Sequence, residues 1–162
     1  MQLLLDAKLL LLIGVANGTP ILSQRFFGSR FAFPVDGGRR LSDGEPLLGH
    51  SKSLRGIVSS VLVTAVFARL VGLGWVIGAL VGAMAMAGDL MSSFLKRRMR
   101  LAPSSMAIGI DQVPESLLPL LACIPLRALS TIDVAAVVLA FLVVELGLSQ
   151  LLFRLHVRER PY

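Results

Sequence analysis

The sequence predicts an all-α, polytopic integral membrane protein with about five transmembrane helices and two cytoplasmic loops that form its site. Three observations carry this. The 162 residues are 55% hydrophobic and 16% charged, against about 25% charged in an average globular chain. Mean hydropathy is +0.78, and the apolar residues fall in long blocks with little helical or strand periodicity, as expected where lipid surrounds a segment. Most of the sixteen cations lie in the gaps between the blocks or after the last one. That placement sets the net charge of +6 against anionic headgroups and nucleotides and argues against nucleic acid. One membrane domain over 1–162 is the natural reading.

The spans run roughly over 3–22, 54–70, 71–88, 113–129 and 132–153. In the first, Asp6 and Lys8 cancel and no Ala-x-Ala site follows, so it reads as a retained span rather than a leader. The stretch 54–88 reads as two spans turning between Arg69 and Gly74, because charge counting requires it. Two spans put Arg25, Arg30, Arg39, Arg40, Lys52, Arg55, Lys96, Arg97, Arg98, Arg100, Arg154, Arg158 and Arg160 on one face of the membrane. Lys8, Arg69 and Arg127 remain for the other. The N-terminus is then outside and the C-terminus cytoplasmic in the plasma (inner) membrane. Loops 25–53 and 89–112 share the cytoplasmic side. Several blocks fall short of the ~20 residues a bilayer core needs, so the second and third helices are expected to run past their apolar ends. Glycines and alanines over 72–88 allow close helix approach. Pro114, Pro119 and Pro125 each remove a backbone donor from the fourth span, which predicts a broken helix packed inside the bundle and facing the site. Cys123 reads as a buried, inert thiol.

The chemistry concentrates at the end of the third span, in Gly88-Asp89-Leu90-Met91-Ser92-Ser93-Phe94-Leu95-Lys96-Arg97-Arg98. On a helix, Asp89, Ser93 and Arg97 stand at i, i+4 and i+8, with Ser92 and Lys96 one position away. One face thus carries a carboxylate, then hydroxyls, then phosphate-binding cations. A carboxylate at membrane depth is costly to keep and is usually functional. Asp111 closes the same loop, and two carboxylates with phosphates and waters suit Mg²⁺. The first loop is rich in Gly and Pro, contains Asp36, Asp43, Ser51, Lys52 and Arg55, and has no Walker pattern. Taken alone it reads equally as an anion-binding loop or as turns touching anionic lipid. Asn17, within an apolar span, reads as a packing or substrate hydrogen bond. Glu145 lies about eight residues, roughly 12 Å, inside the fifth span. It reads either as a buried packing partner or as a contact where a lipid phosphate arrives. His50 and His156 have no metal-ligand spacing and read as surface groups; Asp6, Asp133 and Glu159 read as water-facing flanks.

Gly88-Asp89-Leu90-x-x-Ser93-x-x-Lys96-Arg97, followed by Asp111-Gln112, is similar to the signature of CDP-diacylglycerol synthases. Ala16-Asn17-x-x-Pro20, Pro34-x-Asp36-x-Gly38 and Asp43-Gly44-x-Pro46-Leu47-x-Gly49-x-Ser51-Lys52-x-x-Arg55-Gly56 bring the resemblance closer to the smaller CDP-archaeol synthase family. Roughly residues 14–113 match, in order. The family's first loop usually reads Lys-Thr-Trp-Arg-Gly, where this chain has Lys52-Ser53-Leu54-Arg55-Gly56. The family also usually carries an Asp where this chain has Pro114. Either a ligand is missing there or Glu115 substitutes for it.

The resemblance implies a CTP-dependent cytidylyltransferase that converts a membrane lipid phosphate, archaetidic acid-like or phosphatidic acid, into a CDP-lipid and pyrophosphate. It implies Asp89 and Asp111 as Mg²⁺ ligands, with Asp89, Lys96 and Asp111 catalytic. Asn17, Asp36, Asp43, Ser51, Lys52, Arg55, Ser92, Ser93 and Arg97 are the implied substrate contacts, with Asp36 and Asp43 either ordering the loop or touching nucleotide. The partners are then CTP, a lipid phosphate and the surrounding membrane lipid; a homo-oligomer is left open. A small transporter or lipid-binding scaffold is the alternative, but it would spread polar residues through the spans rather than gather them on one face. The CDP-alcohol phosphotransferases need Asp-Gly followed by Ala-Arg, and here Glu45-Pro46 follows Asp43-Gly44.

Overall fold

The computed structural model describes residues 2–101, 107–127 and 129–154, the last four by their backbone alone. His156, Arg158, Glu159 and Arg160 lie outside the described residues, as does the side chain of Arg154. Five helices follow in order: α1 (Leu3–Phe27), α2 (Leu54–Leu70), α3 (Trp75–Arg98), α4 (Gln112–Arg127) and α5 (Thr131–Arg154). They form a bundle in which α3 packs most extensively, against α2 and α4, while α1 touches all four others. Three are long and apolar enough to cross a membrane by length and composition: α1, α3 and α5 over Thr131–Gln150. At 17 and 16 residues, α2 and α4 are shorter.

Pro20 sits inside α1 and cannot donate to the Ala16 carbonyl. The Ser60 hydroxyl of α2 donates to that carbonyl instead, at 2.8 Å. In lipid an unmet carbonyl is costly, so this one bond both repairs α1 and ties α2 to it. Gly56 completes the junction, since a Cβ there would stand 3.3 Å from the Pro20 ring.

Helix α2 is capped by Ser53, whose hydroxyl accepts the Gly56 N–H. The chain then turns through Gly72 and Gly74, at φ +79° and +85°, a region costly for residues with a Cβ. The third helix therefore starts at Trp75 rather than residue 71. It also continues unbroken to Arg98, so the expected loop 89–112 is helical for its first ten residues. The apolar run stops near Gly88, but the helix does not depend on lipid there, because Ser92, Ser93, Lys96 and Arg97 are all buried by protein.

Small residues on α3 set the contact geometry. A Cβ on Gly78 would meet the Thr64 carbonyl at 2.5 Å and Ala65 Cα at 2.7 Å, and one on Gly82 would meet Val61 Cα at 3.0 Å. Helix α4 runs through Pro119 and Pro125 without a break and buries Gln112, Glu115, Ser116 and Leu120. The expected interruption is absent, but the expected packing inside the bundle is present. The Ser130 hydroxyl and the Asp133 carboxylate cap the start of α5 reciprocally, at 3.2 Å and 3.0 Å. Asp133 also accepts the Gln2 N–H. Asp133 and Asp6 are thus buried rather than water-facing, since both fold in where the N-terminus meets α5. Cys123 is buried and free.

Candidate active site

A cavity of about 720 Å³ opens at the end of the bundle that holds the 28–53 loop. Residues of all five helices and of that loop line it. Asn17, Pro20 and Gln24 come from α1, and Asp89, Ser93, Lys96 and Arg97 from α3. Asp111 and Glu115 lie at the start of α4, Glu145 on α5, and His50, Ser51, Lys52 and Arg55 on the loop and the start of α2. The four polar cavity residues of α3 are one helical stripe, as their spacing predicts.

Two ion pairs span this cavity. The Lys52 ammonium lies 2.6 and 2.7 Å from the two Asp89 carboxylate oxygens. Lys96 lies 2.7 Å from Asp111 Oδ1, and both side chains are nearly buried. Asp111 Oδ2 accepts the Ala107 N–H at 2.9 Å. Lys52 reaches the site because its backbone pairs with Val35 and its neighbour Ser53 starts α2. The start of α4 lies directly on α3 because Gly88 lacks a side chain: a Cβ there would stand 2.7 Å from Glu115 Cα and would overlap the Pro114 carbonyl.

Other expected contacts are used structurally. Asp36 does not line the cavity. Its carboxylate accepts N–H groups from Gly38, Leu48 and Gly49 at 2.9, 2.9 and 3.2 Å, which closes the first loop on itself. Burial alone would raise the Asp36 pKa, but these backbone bonds outweigh it and hold the group below 3.8. Asp43 accepts the Glu45 N–H and pairs with Arg98. That N–H first, with Arg98 adding to it, keeps Asp43 below its ordinary value. Arg98 also donates to the Pro46 carbonyl at 2.6 Å, fastening the loop to the end of α3. Both aspartates thus order the loop. Ser92 is fully buried, does not line the cavity and donates to the Asp89 carbonyl at 3.0 Å; Ser93 faces the cavity. Arg55 lines the cavity while donating to the Gly28 carbonyl at 3.0 Å. Asn17 donates to the Ile13 carbonyl from the cavity wall.

Glu145 and His50 join the site although spacing did not assign them. For Glu145 the available signal was a carboxylate inside the most hydropathic of the three long helices. Among the described residues, no group of three His, Cys, Asp or Glu side chains surrounds a single point. The donors on this wall are nonetheless carboxylate oxygens, the ligand type that hard divalent cations take. Mg²⁺ commonly uses only one or two of these plus substrate phosphates, so the residues present fit it.

A helical membrane bundle with carboxylates and cations around one cavity has the parts for joining two phosphates. Comparison with known proteins agrees. The family profile "CarS-like: CDP-archaeol synthase" matches residues 2–162. The CDP-archaeol synthase of Thermococcus onnurineus is 28% identical over 158 residues, covering 91% of this chain and 89% of that protein. That of Hyperthermus butylicus is 34% identical over 104 residues, which span 60% of this chain and 59% of the relative. A solved structure, described as an intramembrane enzyme for archaeal membrane lipids biosynthesis, superposes with a TM-score of 0.75 at 27% identity, covering 86% of this chain and 89% of that one. The class is therefore a membrane-embedded, CTP-dependent lipid cytidylyltransferase. Within that class, the chain belongs to the CDP-archaeol synthase family.

Proposed function

We propose that the cavity joins CTP to the phosphate of an archaetidic acid-like ether lipid, giving a CDP-lipid and pyrophosphate. The observation that carries this reading is the pair of lysine–carboxylate bridges, Lys52–Asp89 and Lys96–Asp111, on the walls of one cavity with Arg97 beside them. Both substrates are anions that repel each other, so the site must neutralise and align them. An oxygen of the lipid phosphate attacks the α-phosphorus of CTP, the bond from that phosphorus to the bridging oxygen breaks, and pyrophosphate leaves with the electron pair. The attacking group is already anionic, so no general base is required. Lys52, Lys96 and Arg97 hold phosphate oxygens, Arg97 with the two-pronged geometry suited to them. The Ser93 hydroxyl donates to the same oxygens, and Arg55 with Ser51 and Asn17 completes the rim. Asp89 and Asp111 would hold Mg²⁺, which neutralises charge developing on the phosphates. The excess of Lys and Arg near this end of the bundle supports a cytoplasmic site, where CTP is available.

The test is label transfer from CTP by purified protein, with an unsaturated archaetidic acid or phosphatidic acid as acceptor. The wild type should release pyrophosphate only when lipid phosphate is added, with the ether lipid preferred. Asp89→Ala should abolish CDP-lipid formation while the protein still folds in detergent. Turnover at the wild-type rate in that variant would sink the assignment of Asp89.

A further inference from the structure

The segment 26–33 carries an apolar surface that nothing in the bundle covers. Phe26, Phe31 and Phe33 are 81%, 68% and 65% exposed, and Phe27 is exposed beside them. Arg25 and Arg30 flank these rings, both exposed, and neither forms an ion pair among the described residues. A patch of large apolar side chains on a surface marks a partner. Here the patch continues the exposed Ile21 and Leu22 of α1, one of the long apolar helices. The 25 residues of α1 measure about 37 Å along the axis, against about 30 Å for a hydrocarbon core. Its last turn, with Phe26 and Phe27, therefore stands at the headgroup layer.

The turn that follows is held in place rather than loose. Phe31 keeps φ at +57°, a costly region for an aromatic residue, and one that persists only where the surroundings impose it. They do so from α2 and the residue before it. Arg55 donates to the carbonyls of Gly28 and Arg30 and lies over the Phe27 ring, and Leu54 donates its N–H to the Phe33 carbonyl at 2.9 Å. Aromatic rings with flanking arginines are the composition of a segment lying in the plane of a membrane interface. We propose that residues 26–33 are an interfacial anchor: the phenylalanines enter the acyl boundary of the leaflet at the cavity end, and Arg25 and Arg30 hold anionic lipid headgroups. Gly28, Ser29 and Ala32 of the same turn line the cavity, so the anchor sets the cavity mouth in the headgroup layer. None of this depends on the nucleotide chemistry.

The experiment uses the full-length protein reconstituted in bilayer vesicles. A Trp75→Phe background removes the chain's single tryptophan, and Phe26→Trp or Phe31→Trp then introduces one reporter. Lipids brominated near the headgroup end of their chains serve as quenchers, either zwitterionic phosphatidylcholine or anionic phosphatidylglycerol. Fluorescence of both reporters should fall at least about twofold in fully brominated bilayers, as for side chains ~5–10 Å into the boundary. In mixed bilayers, brominated phosphatidylglycerol should quench more than an equal fraction of brominated phosphatidylcholine. Replacing Arg25→Gln and Arg30→Gln together should abolish that preference, each cation accounting for about fivefold local enrichment. Emission typical of indole in water, with no quenching, overturns the proposal. So does emission shielded from water yet untouched by bromine, which marks a protein partner or a second copy of the chain. Equal quenching by the two lipids overturns the role of the arginines. If Phe31→Trp does not fold, Phe26→Trp at the exposed end of α1 decides alone.

Discussion

Asp89 and Asp36 show how little a residue's type says about its use. Both are aspartates in matching motifs, yet one faces a lysine across the cavity and the other is consumed by three backbone N–H groups. The difference has a measurable consequence. Because the folded-state pKa of Asp36 lies below its ordinary 3.8, the folded loop binds fewer protons than the unfolded one. Its contribution to loop stability is complete above pH 3.8 and is lost as the pH falls through the lower folded value. Pepsin cleavage within the 28–53 loop should therefore rise as the pH drops below 3.8 in the wild type. Asp36→Asn should be cleaved readily at every pH with little further acid dependence; an acid dependence as steep as the wild type's would count against this role. Ser92 and Ser93 give a similar contrast. Adjacent positions on a helix point about 100° apart, so only Ser93 reaches the cavity.

At the scale of the helix, the small residues of α3 do two jobs with one spacing. Gly78 and Gly82 admit the backbone of α2, and Gly88 admits that of α4. Adding a methyl at Gly78 forces two backbones apart, an overpacking cost of about 1–3 kcal/mol. Gly78→Ala should lower the melting temperature in detergent by several degrees. Gly14→Ala, where nothing lies within 4 Å, should leave it unchanged or raise it, because alanine favours helix by about 0.5–1 kcal/mol. Equal loss in both variants would mean that close approach at Gly78 is not what holds α2 to α3. Pro20 is another such junction: a break in one helix, legible in the sequence, is healed by Ser60 of the next, which is not.

At the scale of the whole molecule, we propose that all five helices cross the membrane, so that the start of α1 and the end of α5 face opposite sides and the positive-inside rule selects the orientation. Single cysteines introduced into a Cys123→Ala background test this in intact cells with an impermeant maleimide. Arg69→Cys, exposed where α2 turns into α3, should label from outside. Ser42→Cys, on the loop beside the cavity, should label only after the membrane is opened. The reverse pattern would invert the topology and put the site on the outer face. The three long apolar helices were readable from composition alone. The boundaries of α3 were not, because its last turns are covered by protein rather than lipid and hydropathy does not register that difference.

The sequence by itself determined the membrane class, the number of helices and the stripe of Asp89, Ser93, Lys96 and Arg97, since block hydropathy and helical spacing are local properties. It also singled out Asp111 through its motif. Only the tertiary structure decided that Lys52 faces Asp89, that Asp36 and Asp43 serve the loop, and that Glu115 and Glu145 enter the cavity. These depend on which backbones come together, and that is set at Gly88, Gly56 and Pro20 by contacts between helices distant in the chain. A spacing rule reads one helix face at a time, whereas a site built from five helices and a loop exists only once they are packed.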